Sequence, residues 1–263
     1  MIYTLIFLGI IAILIYIRFF SSKKEVQPFP SHWHELLLKN VMYYQNLEAT
    51  KQVEFQNRMM VFLSEINIDG IGVRVEELDE LLIAASAVIP VFGFKEWHYP
   101  HLNTVMLYPN TFNQDFAYDK NAESRQVMGM VGSGIMEGQM ILSRNALRQG
   151  FKNATDKNNT AIHEFVHLLD KADGEIDGIP PAILDHQYTV PWLKMVHDKM
   201  EMINADKSDI RNYGGTSQIE FFAVASEYFF ERPDLLKRKH PELFTMLEQC
   251  FQQSPKYSAK YKK

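Results

Sequence analysis

The chain has a single cysteine, Cys250, among its 263 residues. An intrachain disulfide is therefore impossible and no cysteine-rich zinc finger can form, a usage that fits a reducing compartment. Basic runs are missing as well. Lys and Arg number 27 against 32 Asp and Glu, a formal charge of -5, so no row of cations is present to lie along phosphates and nucleic acid is not an expected partner. No repeat period and no low-complexity tract appears, which argues against solenoids and arrays. The length is enough to bury a substantial core, as one sizeable unit or two small ones, and so admits an enzyme.

The first twenty residues stand apart. MIYTLIFLGIIAILIYIRFF is apolar from Ile2 to Ile17, with Arg18 near its end. A helix of about 20 such residues rises roughly 30 Å, the hydrocarbon thickness of a bilayer, and Tyr3, Tyr16, Phe19 and Phe20 fall where interfacial aromatics sit. A cleaved signal peptide needs a basic leading region and a small-x-small cleavage site, and the sequence offers neither. The expectation is an uncleaved single-pass transmembrane anchor at 1–20, then a polar linker at 21–31 containing Pro28 and Pro30. Arg18, Lys23 and Lys24 come after the span and would keep the body of the protein on the cytoplasmic side of the membrane.

Behind the linker, Leu36, Leu37, Val41, Tyr44, Leu47, Phe55, Met59 and Phe62 recur at helical spacing, so 33–66 is expected to form two helices. Residues 67–72 read as a break. A further helix is expected at 75–88, acidic in its first turn as the helix dipole favours, with Pro90 as its stop. The runs VFGF, TVMLYP and GQMILS between 91 and 143 are separated by Gly, Asn and Pro and read as strands. Gly129, Gly132, Gly134 and Gly138 crowd the last of these runs; lacking a G-K-[ST] ending, they read as flexible loop glycines rather than a phosphate loop. Beyond Gly150 helices are expected near 155–171, 191–205 and 217–230, with two short ones after Pro233 and Pro241. Helices, a small sheet, then helices again: this segregation predicts an α+β fold.

The informative segment is TAIHEFVHLLD at 160–170, which holds H-E-x-x-H as His163, Glu164 and His167 inside an apolar-periodic helix. Residues four apart share a helix face, so both imidazoles reach one ion, while Glu164 stands beside that ion rather than on it. Zinc suits neutral imidazoles. It lowers the pKa of bound water to about 7, and a neighbouring carboxylate takes the proton and hands it to a leaving amine. Two helical histidines alone are more often a polar surface feature. Here Ile162, Phe165, Val166, Leu168 and Leu169 make the helix apolar almost all round, so the polar side chains must be buried, and a metal satisfies them together.

Catalytic zinc takes three protein ligands and leaves a position for water. The third ligand must come from Asp170, Asp173, Glu175, Asp177, His186, His197, Glu220 or Glu227. In TSQIEFFAVASEYFF at 216–230, Glu220 and Glu227 lie seven apart on one face of an apolar helix. Ser217-x-x-Glu220 also reads as a capping box, and Glu227 as a buried carboxylate paired with an Arg or Lys. The residues by themselves favour Glu220 over Glu227 only slightly. Asp170 and Glu227 are both candidates to accept a hydrogen bond from a ligand imidazole. His32 and His34 read as surface positions, His98 and His101 as structural. The strand at 139–143 is a candidate to pair with an extended substrate backbone.

The HEFVHLLD run, the G-I-P-P at 178–181, and Tyr213 seven residues before Glu220 resemble the peptidase family of Mlc titration factor A. The resemblance covers about 32–250 and is firmest at 160–170 and 213–230. That family's core is similar to the catalytic domain of anthrax lethal factor. The resemblance implies that His163, His167 and Glu220 bind one Zn2+ ion, that Glu164 is the general base, and that Tyr213 donates to the developing oxyanion. It also implies a peptide or protein substrate; aminopeptidase-type activity goes with the family, while a cleft for internal peptide bonds is equally compatible with these residues. The expected body is a helical subdomain at 32–90 followed by a zincin-like catalytic core at 91–263. The membrane segment departs from the family's soluble namesake. Two functions are therefore carried forward: a membrane-tethered zinc metallopeptidase, and, from a different class, a membrane-tethered regulatory protein that binds a transcription factor with weak or latent catalysis.

Overall fold

The computed structural model describes residues 24–111, 128–132, 136–153, 156–180 and 186–257. Three helices open it, α1 (Trp33–Asn40), α2 (Met42–Gln45) and α3 (Ala49–Glu65), where two were expected. The extra boundary lies at Val41, whose extended backbone interrupts the helical run although its side chain keeps the apolar spacing. Strand β1 (Asn67–Gly70) comes next, in the stretch read as a break; four residues ending in glycine carry no apolar alternation that would have marked a strand. Helix α4 (Glu77–Val91) starts at a reciprocal cap between Glu76 and Asp79. Pro90 falls in its last turn, so the missing N–H removes a bond only where the helix is already ending.

The sheet is completed by β2 (Leu102–Tyr108), β3 (Gly129–Val131) and β4 (Gly138–Ser143). Its order is β1-β2-β4-β3, with β1, β2 and β4 parallel and β3 antiparallel to β4. VFGF forms no strand, because Val91 still belongs to α4. Nor are all the glycines of 129–138 loop residues: Gly129 opens β3 and Gly138 opens β4, while Gly134 lies outside the described residues. β4 has β2 on one side and β3 on the other, so the backbone of 139–143 is already paired and is not available to an extended substrate. Among the described residues the open edge next to the H-E-x-x-H helix belongs to β3.

The second half is helical: α5 (Arg144–Lys152), α6 (Thr160–Asp170), α7 (His186–Asn204), α8 (Gln218–Glu231), α9 (Pro233–Lys239) and α10 (Pro241–Phe251). An α+β fold with a small mixed sheet and mostly helices is what the segregated pattern predicted. One hydrophobic cluster runs from Trp33 to Phe251 and takes in residues of the early helices, the sheet and the late helices. α6 sits in the middle of it, between α4 and α8 and beneath β3, and all of its residues are buried. Phe165 on α6 packs edge-on against Phe62, and on α8 Phe222 and Phe229 stack on Phe251. These contacts fix the two helices that carry the polar site against a rigid apolar frame.

The expected single-pass anchor and membrane localisation are corrected. No helix among the described residues is long and apolar enough to cross a membrane, and the segment that carried the expectation, 1–20, lies outside them. The longest described helix, α7, has sufficient length, but Lys194, Asp198, Lys199 and Glu201 along it forbid the hydrocarbon interior.

Candidate metal centre

Helix α6 begins at Asn159, whose side-chain oxygen accepts the Ile162 N–H at 3.2 Å, an N-cap that sets the register of the whole helix. His163 and His167 then fall one turn apart on the same face. Their rings meet edge to face with centroids 4.6 Å apart, and their Nε2 atoms are 3.1 Å apart.

Helix α8 supplies the carboxylate. Ser217 caps it, its hydroxyl accepting the Glu220 N–H at 3.2 Å, so half of the capping-box reading holds. The Glu220 carboxylate, however, turns away from the cap: its Oε2 lies 3.0 Å from His163 Nε2 and 3.6 Å from His167 Nε2. One donor atom from each of His163, His167 and Glu220 lies within 4.8 Å of the other two. The separations 3.0, 3.1 and 3.6 Å bracket the edge of about 3.3 Å expected for a tetrahedron whose donors stand roughly 2.0–2.1 Å from its centre. Two nitrogens and one carboxylate oxygen at these distances fit a divalent cation.

Electrostatics points the same way. Glu164 and Glu220 stand beside two buried imidazoles, while Glu227 behind them is already paired with Arg211, so the carboxylates facing the rings favour a cation between them. Burial opposes charge on His163, but Glu220 and Glu227 outweigh it and raise its pKa to about 10. Burial likewise works against ionised Glu220, yet the two imidazoles hold its carboxyl well below the usual range. Glu164 is pushed the other way: burial raises its carboxyl above the ordinary value despite His163 and His167 nearby.

Further features shape the site. Glu227, fully buried, contacts His163 Nδ1 at 2.8 Å. Asp170 does not take the corresponding role toward His167; its Oδ2 accepts the Gly178 N–H at 2.8 Å, and burial pushes its carboxyl up to about 6. His167 Nδ1 is buried with no hydrogen-bond partner among the described residues. Strand β3 comes so close to α6 that a Cβ on Gly129 would stand 2.7 Å from Glu164 Oε1 and 2.8 Å from Thr160 Cγ2. Tyr213, in a short 3-10 turn before α8, is 39% exposed and its ring lies 6.0 Å from that of His163.

The other candidates are elsewhere or otherwise engaged. Asp173 and Asp177 accept backbone N–H bonds within their own loop, and His197 pairs with Glu201 on the exposed side of α7. His32 bonds Glu77, His34 bonds Tyr44, and His98 pairs with Glu65, all far along the chain from the cluster. Arg211 and Gly129 were not anticipated as site residues. A buried carboxylate at Glu227 announced the need for a cation, but nothing in sequence tied it to Arg211.

The chain is similar to several known proteins. The chain is 26% identical over 260 residues to an uncharacterized protein, slr2042, of Synechocystis sp., covering 94% of both chains. It is 25% identical over 252 residues to Mlc titration factor A of Pectobacterium atrosepticum, covering 89% of this chain and 90% of that one. With Mlc titration factor A of Salmonella arizonae the identity is 26% over 223 residues, 80% of this chain and 86% of the relative. The model of one protein family, glucose-regulated metallo-peptidase M90, matches residues 18–252, a span that includes both helices of the His-His-Glu group, and the chain belongs to that family.

Proposed function

We propose that this protein is a zinc-dependent peptidase in which His163, His167 and Glu220 hold the metal, Glu164 is the general base and Tyr213 stabilises the oxyanion. The observation that carries the reading is the convergence of two Nε2 atoms and one carboxylate oxygen, from two separate helices, at 3.0–3.6 Å from one another. The body is read as a zincin-like core at 91–263 with the helical residues 32–90 packed on it. When bound, zinc supplies Lewis acidity, lowering the pKa of a water to about 7 and polarising a carbonyl.

The protein's own residues do the rest. Glu164, raised in pKa by burial, is suited to take the proton of the attacking water and deliver it to the leaving amine nitrogen. Tyr213, partly exposed with its ring 6.0 Å from that of His163, is suited to donate its hydroxyl to the charge that develops on the carbonyl oxygen. Strand β3, whose outer edge is unpaired among the described residues, passes close to Glu164 and is suited to offer backbone groups to an extended peptide. The substrate is therefore a peptide or protein segment lying along that edge.

A second reading draws on the name of the relatives, which speaks of titrating Mlc: this chain binds a transcription regulator and its catalysis is weak or latent. Glu164→Gln separates the two. Screening a peptide library with the wild type identifies a cleaved peptide, and the variant is expected to lose that cleavage while keeping stoichiometric zinc. Cleavage that survives in Glu164→Gln, or a wild type that cleaves nothing while binding zinc, would overturn the peptidase reading.

A further inference from the structure

Glu227 has no access to solvent, yet it makes contacts on three sides. Its Oε1 lies 2.8 Å from His163 Nδ1. Since a carboxylate only accepts, Nδ1 donates its proton in that contact, which leaves Nε2, beside His167 and Glu220, as the nitrogen that would face a bound metal. The same Oε1 accepts a hydrogen bond from Arg211 Nη2. Its Oε2 accepts the backbone N–H of Asn159, the residue that caps α6, at 2.5 Å. One carboxylate on α8 thus grips a histidine of the site, the start of the helix bearing that histidine, and the segment that carries Tyr213 two residues beyond Arg211.

We propose that Glu227 is a positioning residue that couples His163 to the Tyr213 segment through Arg211, so that metal affinity and oxyanion stabilisation depend on the same buried carboxylate. This rests on the metallopeptidase reading above. An Arg–Glu pair serving only the fold would need neither the Nδ1 contact nor the placement of Arg211 immediately before the Tyr213 turn. His167 provides the contrast, because among the described residues its Nδ1 has no hydrogen-bond partner: Asp170 places Oδ2 on the Gly178 N–H, and its Oδ1 bonds nothing. The orientation of the ligand pair is consequently controlled from the His163 side.

The test uses the full chain, zinc, and the peptide that the wild type cleaves. Zinc affinity is measured by competition with a chromophoric chelator for wild type and Glu227→Gln, a near-isosteric change that keeps an acceptor but loses the charge. The expected result is a fall in affinity of about 10–100-fold, the usual effect of removing such a partner from a ligand histidine. In parallel, the kcat penalty of Tyr213→Phe is measured in the wild-type and Glu227→Gln backgrounds, and is expected to be smaller in the second. Equal zinc affinity, or Tyr213→Phe penalties that agree within about twofold in the two backgrounds, would overturn the coupling. If Glu227→Gln does not fold, as judged by a lost thermal transition, Arg211→Lys takes its place in the kinetic cycle. Lys keeps the charge but loses the planar fork, and an undiminished Tyr213→Phe penalty there overturns the proposal as well. A wild type that binds no zinc brings down the metallopeptidase reading itself; a wild type that binds zinc with a Glu227→Gln variant of equal affinity brings down this proposal alone.

Discussion

Glu220 and Glu227 stand seven residues apart on α8 and address the two nitrogens of a single imidazole, Glu220 reaching Nε2 of His163 at 3.0 Å and Glu227 reaching Nδ1 at 2.8 Å. They are not interchangeable. Glu220 also approaches His167, at 3.6 Å, whereas Glu227 is held away from it by Arg211 and the Asn159 N–H. Glu220→Ala is accordingly expected to purify with substoichiometric zinc. Glu227→Gln should still carry one zinc per chain when metal is in excess, its weakness showing only under competition. Elemental analysis of both purified variants decides the matter, and the opposite pattern of losses reverses the roles of the two glutamates.

Gly129 is predicted to be intolerant of any side chain. A Cβ there would meet Glu164 Oε1 at 2.7 Å and Glu164 Cγ at 2.8 Å, and Thr160 closes the space from the other side. Either the carboxylate or the β3 edge must move, and both belong to the proposed reaction. Gly129→Ala should lower kcat/KM by about tenfold or more, the equivalent of ~1.4 kcal/mol in the transition state, with zinc content unchanged. Steady-state kinetics beside elemental analysis checks this; unchanged kinetics would mean that β3 yields without disturbing Glu164.

Gly178 joins the loop after α6 to the start of α8. Its φ of +77° lies in the left-handed region, its N–H is held by Asp170, and a Cβ would stand 2.7 Å from the Gln218 carbonyl oxygen. Gln218 in turn donates to the Asp177 carbonyl at 2.7 Å, so the loop and the first turn of α8, two residues from Glu220, are tied together. Gly178→Ala should cost at least about 1 kcal/mol from the backbone alone, and the contact with Gln218 adds to it. A fall in Tm of at least roughly 2–4 °C is expected, measurable by calorimetry.

The H-E-x-x-H helix was legible because three independent signals coincide in it: the four-residue spacing, an apolar surround, and polar residues that cannot be left buried unpaired. Glu220 was half legible. The capping signal at Ser217 is real, and sequence cannot say which way the carboxylate turns once the hydroxyl has satisfied the N–H of Glu220. β1 and β3 were missed because strands of four and three residues are too short to show a period. α5 was missed because it begins directly at Ser143, the last residue of β4, with no Gly or Pro to mark the change. Glycines at 129–138 look like loop punctuation, and only a three-dimensional neighbour such as Glu164 reveals that one of them is a close approach. Long-range pairings like Arg211 with Glu227 leave no local trace.

Asp209 gives a prediction in which pH carries the sign. It lies four residues before Tyr213 and receives hydrogen bonds from His240 at 2.8 Å, Tyr228 at 2.7 Å and Lys157 at 3.0 Å, with Lys239 at 3.1 Å. Burial opposes its charge, but these partners outweigh burial and hold its carboxyl well below the usual range. A carboxyl whose folded pKa is depressed binds its proton more readily in the unfolded chain. Its contribution to stability is therefore fully present above the unfolded value of about 3.9, and is lost progressively as pH falls from there toward the folded value. Asp209→Asn should destabilise the protein at pH 7 by about 1–3 kcal/mol, nearer the lower end because a quarter of the side chain is exposed and water screens it. The gap between variant and wild type, read from urea midpoints, should stay constant from pH 7 to about 5 and narrow below about 4. A gap that widens on acidification would mean that Asp209 is not the ionised hub of this cluster. The segment leading to Tyr213 would then rest on its other anchors, the Arg211–Glu227 pair and the buried Ile210 among them, which makes the measurement a check on how the proposed oxyanion donor is held as well as on stability.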